Sequence, residues 1–303
     1  MKKNRIVFLL CALVSMWGLG FPINKIGLSY TSPMLFIEWR FFISTIAMFI
    51  IATATKNLII PHLKDLPMIL TIGLFQMAIT MNLSNYGLSL VGAGKATFLV
   101  FATSIWIIPF SIFLTKRMIW LDVLSFFIGA LGVLILITPW KIDWHNHKIW
   151  IGDITLLLAS ISWSIGILCA RFMKWHRPSL QLLPWQLLLA SLCTAVLAYC
   201  EGLSFFPQSS DPIFISTLLY TGILSIAIGY WAMLIVSKEL SPAAVSLGLV
   251  FVPIVSLIIS LLFLHEEISS TLIVGVSFII LGSLFHVYSE RKSKKILQLY
   301  EKL

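Results

Sequence analysis

Long stretches of apolar residues, separated by short polar segments, recur along the whole chain. Each stretch has about 20 residues, which is the length an α-helix needs to cross a hydrocarbon core of roughly 30 Å. The apolarity is continuous rather than alternating, and this favours helices over the strands of a membrane barrel. We predict ten transmembrane helices, at residues 6–24, 34–54, 67–88, 95–115, 119–138, 152–173, 181–200, 213–236, 243–264 and 270–289.

The composition supports an all-α integral membrane protein. Hydrophobic residues make up 59% of the 303 positions and charged residues only 11%, whereas about a quarter of the residues of a soluble domain are charged. The cysteines sit in apolar runs without a C-x-x-C spacing, so they read as small buried hydrophobes. The close histidine pair His145 and His147 has no cysteine nearby. We therefore predict neither a metal site nor a cofactor.

The net charge of +9 would also be typical of a nucleic-acid-binding protein. Ten helices place both termini on one side, and the positive-inside rule identifies that side from the Lys and Arg residues of the short loops. With the termini inside, 16 of the 21 basic residues fall in inner segments: Lys2, Lys3, Arg5, Lys56, Lys64, Lys116, Arg117, Arg171, Lys174, Arg177, Lys238, Arg291, Lys292, Lys294, Lys295 and Lys302. The outer segments hold Lys25, Lys95, Lys141 and Lys148.

This asymmetry predicts a multi-pass protein of the cell (inner) membrane with cytoplasmic N- and C-termini. The basic cluster at 291–295 is then placed to contact anionic lipid headgroups. Because topology accounts for most of the charge, we predict membrane lipid as a partner and no nucleic acid.

The chain also divides into two similar halves. Trp17 matches Trp163 and Trp39 matches Trp185, both at an offset of 146 residues. We predict a first five-helix repeat over 1–138, an outer linker over 139–151, a second five-helix repeat over 152–290 and a basic cytoplasmic tail over 291–303. An odd number of helices per repeat inserts the halves in opposite orientations, and inverted repeats are typical of secondary transporters.

Several motifs carry a family resemblance. They are residues 16–21 (MWGLGF), 36–42 (FIEWRFF), 152–163 (GDITLLLASISW) and 240–247 (LSPAAVSL), followed by Pro253 and Glu266. Over about residues 6 to 289 the chain resembles the EamA-type branch of the drug/metabolite transporter superfamily. That resemblance implies ten helices in two inverted five-helix repeats and the export or exchange of small metabolites.

The sequence departs from the family pattern in its first half. Lys116-Arg117 stands where the family usually has an acidic residue after the fourth helix. Ser104 occupies the place that Pro253 has in the second half, with Pro109 five residues later.

Polar and aromatic residues at mid-depth are the candidates for substrate binding, because such groups normally face a cavity or another helix. Trp17 and Trp163 each lie about 16–18 Å along their helices, which is midplane depth. We predict a substrate site formed by Trp17, Gln76, Asn82, Trp163, Tyr230 and Trp231, on the first, third, sixth and eighth helices. We expect the second helix to line the cavity too, with the seventh and ninth as further candidates. The alternative is helix packing, with the amides bonding neighbouring helices.

Glu38 and Arg40 are charged residues well inside the second helix. Being two positions apart, they point in different directions and do not satisfy each other. Arg40 has three possible roles. Its guanidinium can bind a carboxylate or phosphate through two parallel hydrogen bonds, extend to the outer headgroups, or form a fixed hydrogen bond to another helix. Because the resemblance includes this arginine, we predict a structural, gating or coupling role, with Glu38 as the candidate proton carrier.

Other signals indicate no enzymatic chemistry. Gly92-Ala93-Gly94-Lys95 suggests a phosphate-binding loop, but Ser89 replaces its first glycine and Ala96 its Ser or Thr. Asp153, Glu266 and Glu267 lie at outer helix ends, and no catalytic triad or carboxylate pair is present in any predicted helix.

We therefore predict a secondary transporter that exports or exchanges small metabolites, such as amino acids, by alternating access. The loops leave no room for a nucleotide-hydrolysing domain, so movement would follow a gradient. The alternatives are a lipid flippase or a channel and, less favoured, an integral membrane enzyme. Monomer and dimer both stay open.

Overall fold

A computed structural model describes residues 2–116, 119–141, 147–203, 209–240, 242–267 and 269–300. These residues form ten helices and no strand. The helices are α1 Lys2–Gly27, α2 Pro33–Ala54, α3 Leu63–Leu90, α4 in two segments Ala93–Phe101 and Thr103–Thr115, α5 Trp120–Ile137, α6 His147–Phe172, α7 Ser179–Cys200, α8 Pro212–Glu239, α9 in two segments Pro242–Leu249 and Phe251–Phe263, and α10 Ser270–Tyr300.

The predicted all-α membrane architecture is confirmed. Nine of the described helices are long and apolar enough to cross a membrane, and α9 supplies a shorter apolar stretch, Leu247–Phe263. Arg117, His145 and Ser241 lie outside the described residues, as do the side chains of Ser104, His147 and residues 293–300.

Two helix starts follow rules that are visible in the sequence. Proline occupies the first turn of α2 and α8, where its missing N–H leaves no hydrogen bond unmade. The preceding residue caps each helix. Ser32 Oγ accepts from the Leu35 N–H at 3.3 Å, and Asp211 Oδ1 accepts from the Ile213 N–H at 2.7 Å.

The outer surface of the bundle is apolar. Large hydrophobic side chains point outward along most helices, and Phe113 is 81% exposed. Exposed apolar area of this extent is unfavourable in water and is covered by lipid tails in a bilayer. The lipid-facing surface thus explains why the hydrophobic fraction of the sequence is higher than an internal core alone requires.

Irregularities of the helices repeat between the two halves. A π-helical segment interrupts α3 at Ile72–Ile79 and α8 at Tyr220–Ile228, with starts 148 residues apart. The breaks in α4 and α9, at Ala102 and Val250, are separated by the same 148 residues. The chain is therefore built as two inverted five-helix repeats whose backbone distortions match.

Contacts between the halves follow the same symmetry. α3 packs on α6 as α8 packs on α1, and α4 packs on α6 as α9 packs on α1. α5 and α10 form the closest pair. A Cβ atom added to Gly132 would lie 2.7 Å from the Gly275 carbonyl oxygen, and one added to Gly282 would lie 2.8 Å from the Gly129 nitrogen. Glycines thus allow the α5 and α10 backbones to touch.

The two ends of the bundle carry different loops. We call the end where α1 begins and α10 ends the terminal end, and the opposite end, with residues 28–32, 91–92 and 264–267, the distal end. That the terminal end is cytoplasmic stays a prediction from the charge asymmetry.

Candidate functional site

A cavity of about 430 Å³, the main cavity, lies between the two halves. Trp17, Phe98, Phe101 and Trp163 line it at mid-depth. From there it extends to the terminal end, where Arg171, Ser237 and His286 line it. The lining comes from α1, α3, α4, α6, α8, α9 and α10. A cavity of this size, mostly apolar with a few polar groups, is typical of a small-molecule site.

Three aromatic side chains close the main cavity at mid-depth. Trp17, Phe101 and Trp163 also line a small cavity of about 40 Å³ on their distal side, so they separate the two spaces. We call these three side chains the aromatic septum. Trp163 lies 5.3 Å from Phe101 and 6.0 Å from Trp17 between ring centroids, both edge-to-face, an arrangement that aromatic rings favour.

The π-helical segment of α8 holds Trp17 in the septum. Its indole Nε1 donates to the Ser225 carbonyl oxygen at 2.9 Å, and such segments often occur at functional positions in helices. Gly229 makes room for the ring, since a Cβ atom there would lie 2.5 Å from Trp17 Nε1. In the other half, the Phe75 carbonyl of the α3 π-segment accepts from Ser162 Oγ of α6 at 2.7 Å. Both π-segments therefore bond the helix that crosses them from the other half.

Polar groups of the main cavity are few and include no carboxylate among its lining residues. Gln76 lines it from the α3 π-segment, and the missing side chain of Gly166 on α6 lets α3 come close. At the terminal end His286 Nδ1 lies 3.3 Å from Asp122 Oδ1. The described polar lining is therefore uncharged at mid-depth, while Arg171 and the His286–Asp122 pair lie at the terminal end.

The small cavity contains Arg40, which is only 2% exposed. Arg40 Nη1 donates to Asn85 Oδ1 at 3.2 Å, and the guanidinium lies 5.6 Å from the Phe36 ring centre. Tyr230 lines the same cavity, with its ring 5.7 Å from that of Trp17. Glu38 instead accepts from Ser191 Oγ of α7 at 3.0 Å. The two charged residues of α2 therefore bond different partners, as their spacing predicts.

The polar residues of α3 point in different directions. Asn82 Nδ2 donates to Thr194 Oγ1 of α7 at 2.8 Å and to the Ala78 carbonyl at 2.8 Å. Asn85 faces Arg40, and Tyr86 is 46% exposed on the outer surface. Asn82, Glu38 and the half-buried Trp231 are not among the residues that line either cavity.

A polar cluster closes the distal end. Lys25 Nζ at the end of α1 donates to the Leu88 and Val91 carbonyls, both at 2.7 Å, and to Ser89 at 3.3 Å. Lys95 of α4 forms a 2.7 Å ion pair with the buried Asp153 of α6. The carboxylate of Glu266, after α9, accepts from the backbone N–H groups of Ala93 and Gly94, the latter at 3.0 Å. We call Lys25, Lys95, Asp153 and Glu266 the distal latch.

The glycine-rich start of α4 is shaped for the Glu266 carboxylate. A Cβ atom on Gly92 would lie 2.9 Å from Glu266 Oε2. Free N–H groups and the helix dipole make a helix N-terminus an anion site. The segment that superficially matches a phosphate-binding loop thus binds an anion, but the anion belongs to the protein.

Sequence reasoning missed three parts of this region. Phe101 carried no signal beyond being apolar, and the Ser225 carbonyl could not be singled out without the π-segment. The distal latch had a signal in the glycines at 92 and 94 and the acid at 266, but their pairing spans more than 170 residues. Within the described ranges no group of three or more His, Cys, Asp or Glu side chains is arranged to hold a metal ion.

Comparisons with known proteins agree with this architecture. The model of the EamA-like transporter family matches residues 4–138 and 150–288. The uncharacterized transporter YvbV of Bacillus subtilis is 25% identical over 297 residues, covering 97% of this chain and 95% of that protein.

Two further relatives have more specific names. The probable amino-acid metabolite efflux pump of Salmonella typhimurium is 27% identical, covering 94% of this chain and 95% of that protein. The probable terminal-alkyne amino-acid exporter of Streptantibioticus cattleyicolor is 23% identical, covering 93% of each chain.

A crystal structure whose description names no function shares the fold. It aligns with a TM-score of 0.66 at 16% identity over 95% of this chain and 98% of that one. Family matches to both halves, full-length relatives and a shared fold lead to one conclusion: the chain belongs to the EamA-like transporter family.

Proposed function

We propose that this protein exports or exchanges small amphipathic metabolites, such as amino acids, across the cell membrane by alternating access. The observation that carries the proposal is the main cavity, which runs from the aromatic septum to the terminal end. Trp17, Gln76 and Trp163 contact the solute in this cavity. With the terminal end in the cytoplasm, the cavity receives solute from inside the cell.

The distal latch supports an alternating mechanism. It joins α1, α3, α4, α6 and the segment after α9 at the end opposite the main cavity, and so blocks passage there. For solute to leave at the distal end, the latch must break and the septum must part. Rocking of one repeat against the other, with the α5–α10 pair as the tight contact, supplies this motion.

The chemistry of the cavity supports the solute class. Aromatic and aliphatic side chains bind the apolar part of an amphipathic molecule, while Gln76 offers one donor and one acceptor group. Two relatives bear the names of an amino-acid metabolite efflux pump and an amino-acid exporter, and we extend the amino-acid part of those names to this protein.

The experiment is transport in proteoliposomes made from the full chain. Vesicles loaded with a panel of radiolabelled amino acids should release one or more of them faster than protein-free vesicles. Trp17→Ala and Trp163→Ala should each lower that release roughly 10- to 150-fold, because truncating a buried aromatic removes roughly 1.5–3 kcal/mol of contact. Absence of protein-dependent flux for the whole panel would refute the proposal.

A matched control separates cavity contacts from general damage. Trp120 at the start of α5 is 73% exposed and lines neither cavity, so Trp120→Ala should leave release unchanged. All three variants should insert into membranes in equal amounts. Release that is unchanged in both cavity variants would remove Trp17 and Trp163 from the binding site.

A further inference from the structure

Arg40 is a buried cation that no carboxylate balances in the described part of the chain. None of the described carboxylates forms an ion pair with it, and Glu38, the acid on the same helix, bonds Ser191. The guanidinium has five N–H groups, and its Nε finds no hydrogen-bond partner among the described residues. Burying an unpaired charge is costly, so a group held in this state is a candidate for function.

Three further donors share the small cavity with Arg40, one of them the Ser84 hydroxyl, which is buried and has no hydrogen-bond partner among the described residues. The Asn85 side-chain nitrogen and the Tyr230 hydroxyl are both buried and without a hydrogen-bond partner in the described part of the chain. Asn85 is fixed through its oxygen, which accepts from Arg40 Nη1 at 3.2 Å, so its NH₂ group is left for another acceptor. A cation, an amide N–H₂ and a phenol thus line one small space that has no acidic lining residue.

The small cavity has room for a small polar group such as a carboxylate. It measures about 40 Å³, and a cavity needs roughly 10–15 Å³ of such space to hold one water molecule. Trp17, Phe101 and Trp163 separate it from the main cavity, so a solute in the main cavity is one layer of rings away.

We propose that Arg40, Asn85 and Tyr230 form a carboxylate subsite that takes the acid group of the transported solute as it passes the aromatic septum. The planar guanidinium suits a carboxylate, which accepts two parallel hydrogen bonds from it. The solutes carried are then amphipathic molecules with a carboxylate, and amines or amides of the same shape are poor ligands. This inference rests on the proposed transport function and specifies its substrate class.

Three probes with one ring system test the subsite. L-phenylalanine has a carboxylate and an ammonium group, 3-phenylpropionate has only the carboxylate, and phenylalaninamide has only the ammonium. We expect the two acids to compete for release of a labelled substrate with a lower inhibition constant than the amide. In Arg40→Gln the constants for both acids should rise roughly 10- to 100-fold, the usual effect of losing a charged hydrogen bond, while the constant for the amide stays within about twofold.

Control variants separate the subsite from the stability of α2. Ser44 lies one turn further along and is fully buried. Its only hydrogen bond to a described residue goes to the Phe41 carbonyl of its own helix, at 3.0 Å. Ser44→Ala should leave all three constants unchanged. Arg40→Lys keeps the charge without the planar fork and should fall between the wild type and Arg40→Gln.

Binding to the detergent-solubilised full chain provides a readout that does not need transport. Both acids should raise the melting temperature of the wild type more than the amide does, and this difference should vanish in Arg40→Gln. If the acids and the amide raised the melting temperature of the wild type equally, the proposed subsite would be wrong. The proposal would also be overturned if Arg40→Gln reduced the melting-temperature shift equally for all three probes. The same holds if the reduction occurred only in buffers that contain chloride, since the site would then bind a simple anion.

The two proposals fail in different ways. If no labelled solute crosses the membrane, the transport function fails, while acid-selective binding in detergent still supports the subsite. If solutes cross but acids and amide behave alike, the transporter stands and the subsite falls.

Discussion

Replacing Glu266 by glutamine should open the distal end of the protein. In the described structure this carboxylate accepts hydrogen bonds from the backbone N–H groups of Ala93 and Gly94 at the start of α4. It also attracts the Lys25 ammonium group. Glutamine has nearly the same shape but no charge, and its NH₂ group cannot accept a hydrogen bond. The substitution therefore weakens the distal latch without removing bulk.

The expected effect can be worked out from these contacts. A hydrogen bond to a charged group contributes about 1.5–3 kcal/mol, and an anion at a helix N-terminus contributes about 0.3–2 kcal/mol. Glutamine retains one acceptor oxygen, so the loss is about 2 kcal/mol in the state that is closed at the distal end. If distal opening breaks all these contacts, the ratio of open to closed molecules rises roughly 30-fold.

A cysteine reporter measures this ratio. Ser84 lines the small cavity and is buried, so Ser84→Cys in a background without the four native cysteines reports distal access. A membrane-impermeant thiol reagent is added from the distal side of sealed vesicles. We expect labelling of this cysteine to be about 30-fold faster in Glu266→Gln, because the reagent reacts only with open molecules.

Two controls make the result specific. Glu267 is the exposed neighbour of Glu266, and Glu267→Gln should leave the labelling rate unchanged. A cysteine at Ser44, which is buried and lines neither cavity, should stay unlabelled in every variant and so exclude local unfolding. Equal labelling rates in Glu266→Gln and Glu267→Gln would refute the latch as a gate.

Two further predictions follow from the inverted repeat and from the support of the septum. Lys116 is exposed at the end of α4, two residues before the position that the 148-residue offset matches to Glu266. Lys116→Glu should supply an acid for a similar latch at the terminal end and slow the labelling of a Ser237→Cys reporter several-fold from that side, and an unchanged rate would contradict this. Gly229→Ala would place a methyl group 2.5 Å from Trp17 Nε1 and break the hydrogen bond from this nitrogen to the Ser225 carbonyl. Release from proteoliposomes should then fall about fivefold, which corresponds to a loss of about 1 kcal/mol. Release at the wild-type rate would show that the Trp17 ring adapts to the methyl group.

Helix number and helix starts could be predicted because each depends on short segments. Hydrophobic length marks a membrane helix, and Pro33 and Pro212 with their capping residues mark where α2 and α8 begin. The π-helical segments could not be predicted. Ile72–Ile79 has the composition of an ordinary membrane helix. Its wider turn packs on two helices of the other half, α6 and α7, and the Phe75 carbonyl accepts from Ser162 there.

The depth of a residue in the membrane can be predicted from the sequence, whereas the direction in which its side chain points around the helix axis cannot. Position along a helix is depth in the membrane, and this reasoning singled out Trp17 and Trp163, which meet at the septum. Rotation about the helix axis depends on tertiary packing. Asn82 therefore bonds α7, while Asn85, three residues later, bonds Arg40. Substrate contact by Trp17, Gln76 and Trp163 stays a prediction.

The distal latch shows a second limit of sequence reasoning. The N-terminus of α4, with glycines at 92 and 94, is recognisable as an anion site. Which anion occupies it depends on a chain segment more than 170 residues away. Folding of the two repeats brings Glu266 to the N-terminus of α4. The residues around positions 92–94 alone do not indicate which distant acid pairs with them.

Counterflow in proteoliposomes distinguishes transport by alternating access from passage through an open pore. Vesicles containing the full chain are loaded with an unlabelled amino acid that the release assay identifies as a substrate, and a trace of the labelled form is added outside. A carrier that exposes one site to each side in turn predicts a transient accumulation of label inside, above the external concentration. A channel would let the internal label rise smoothly to the external concentration. That result, or no protein-dependent entry of label, would contradict alternating access.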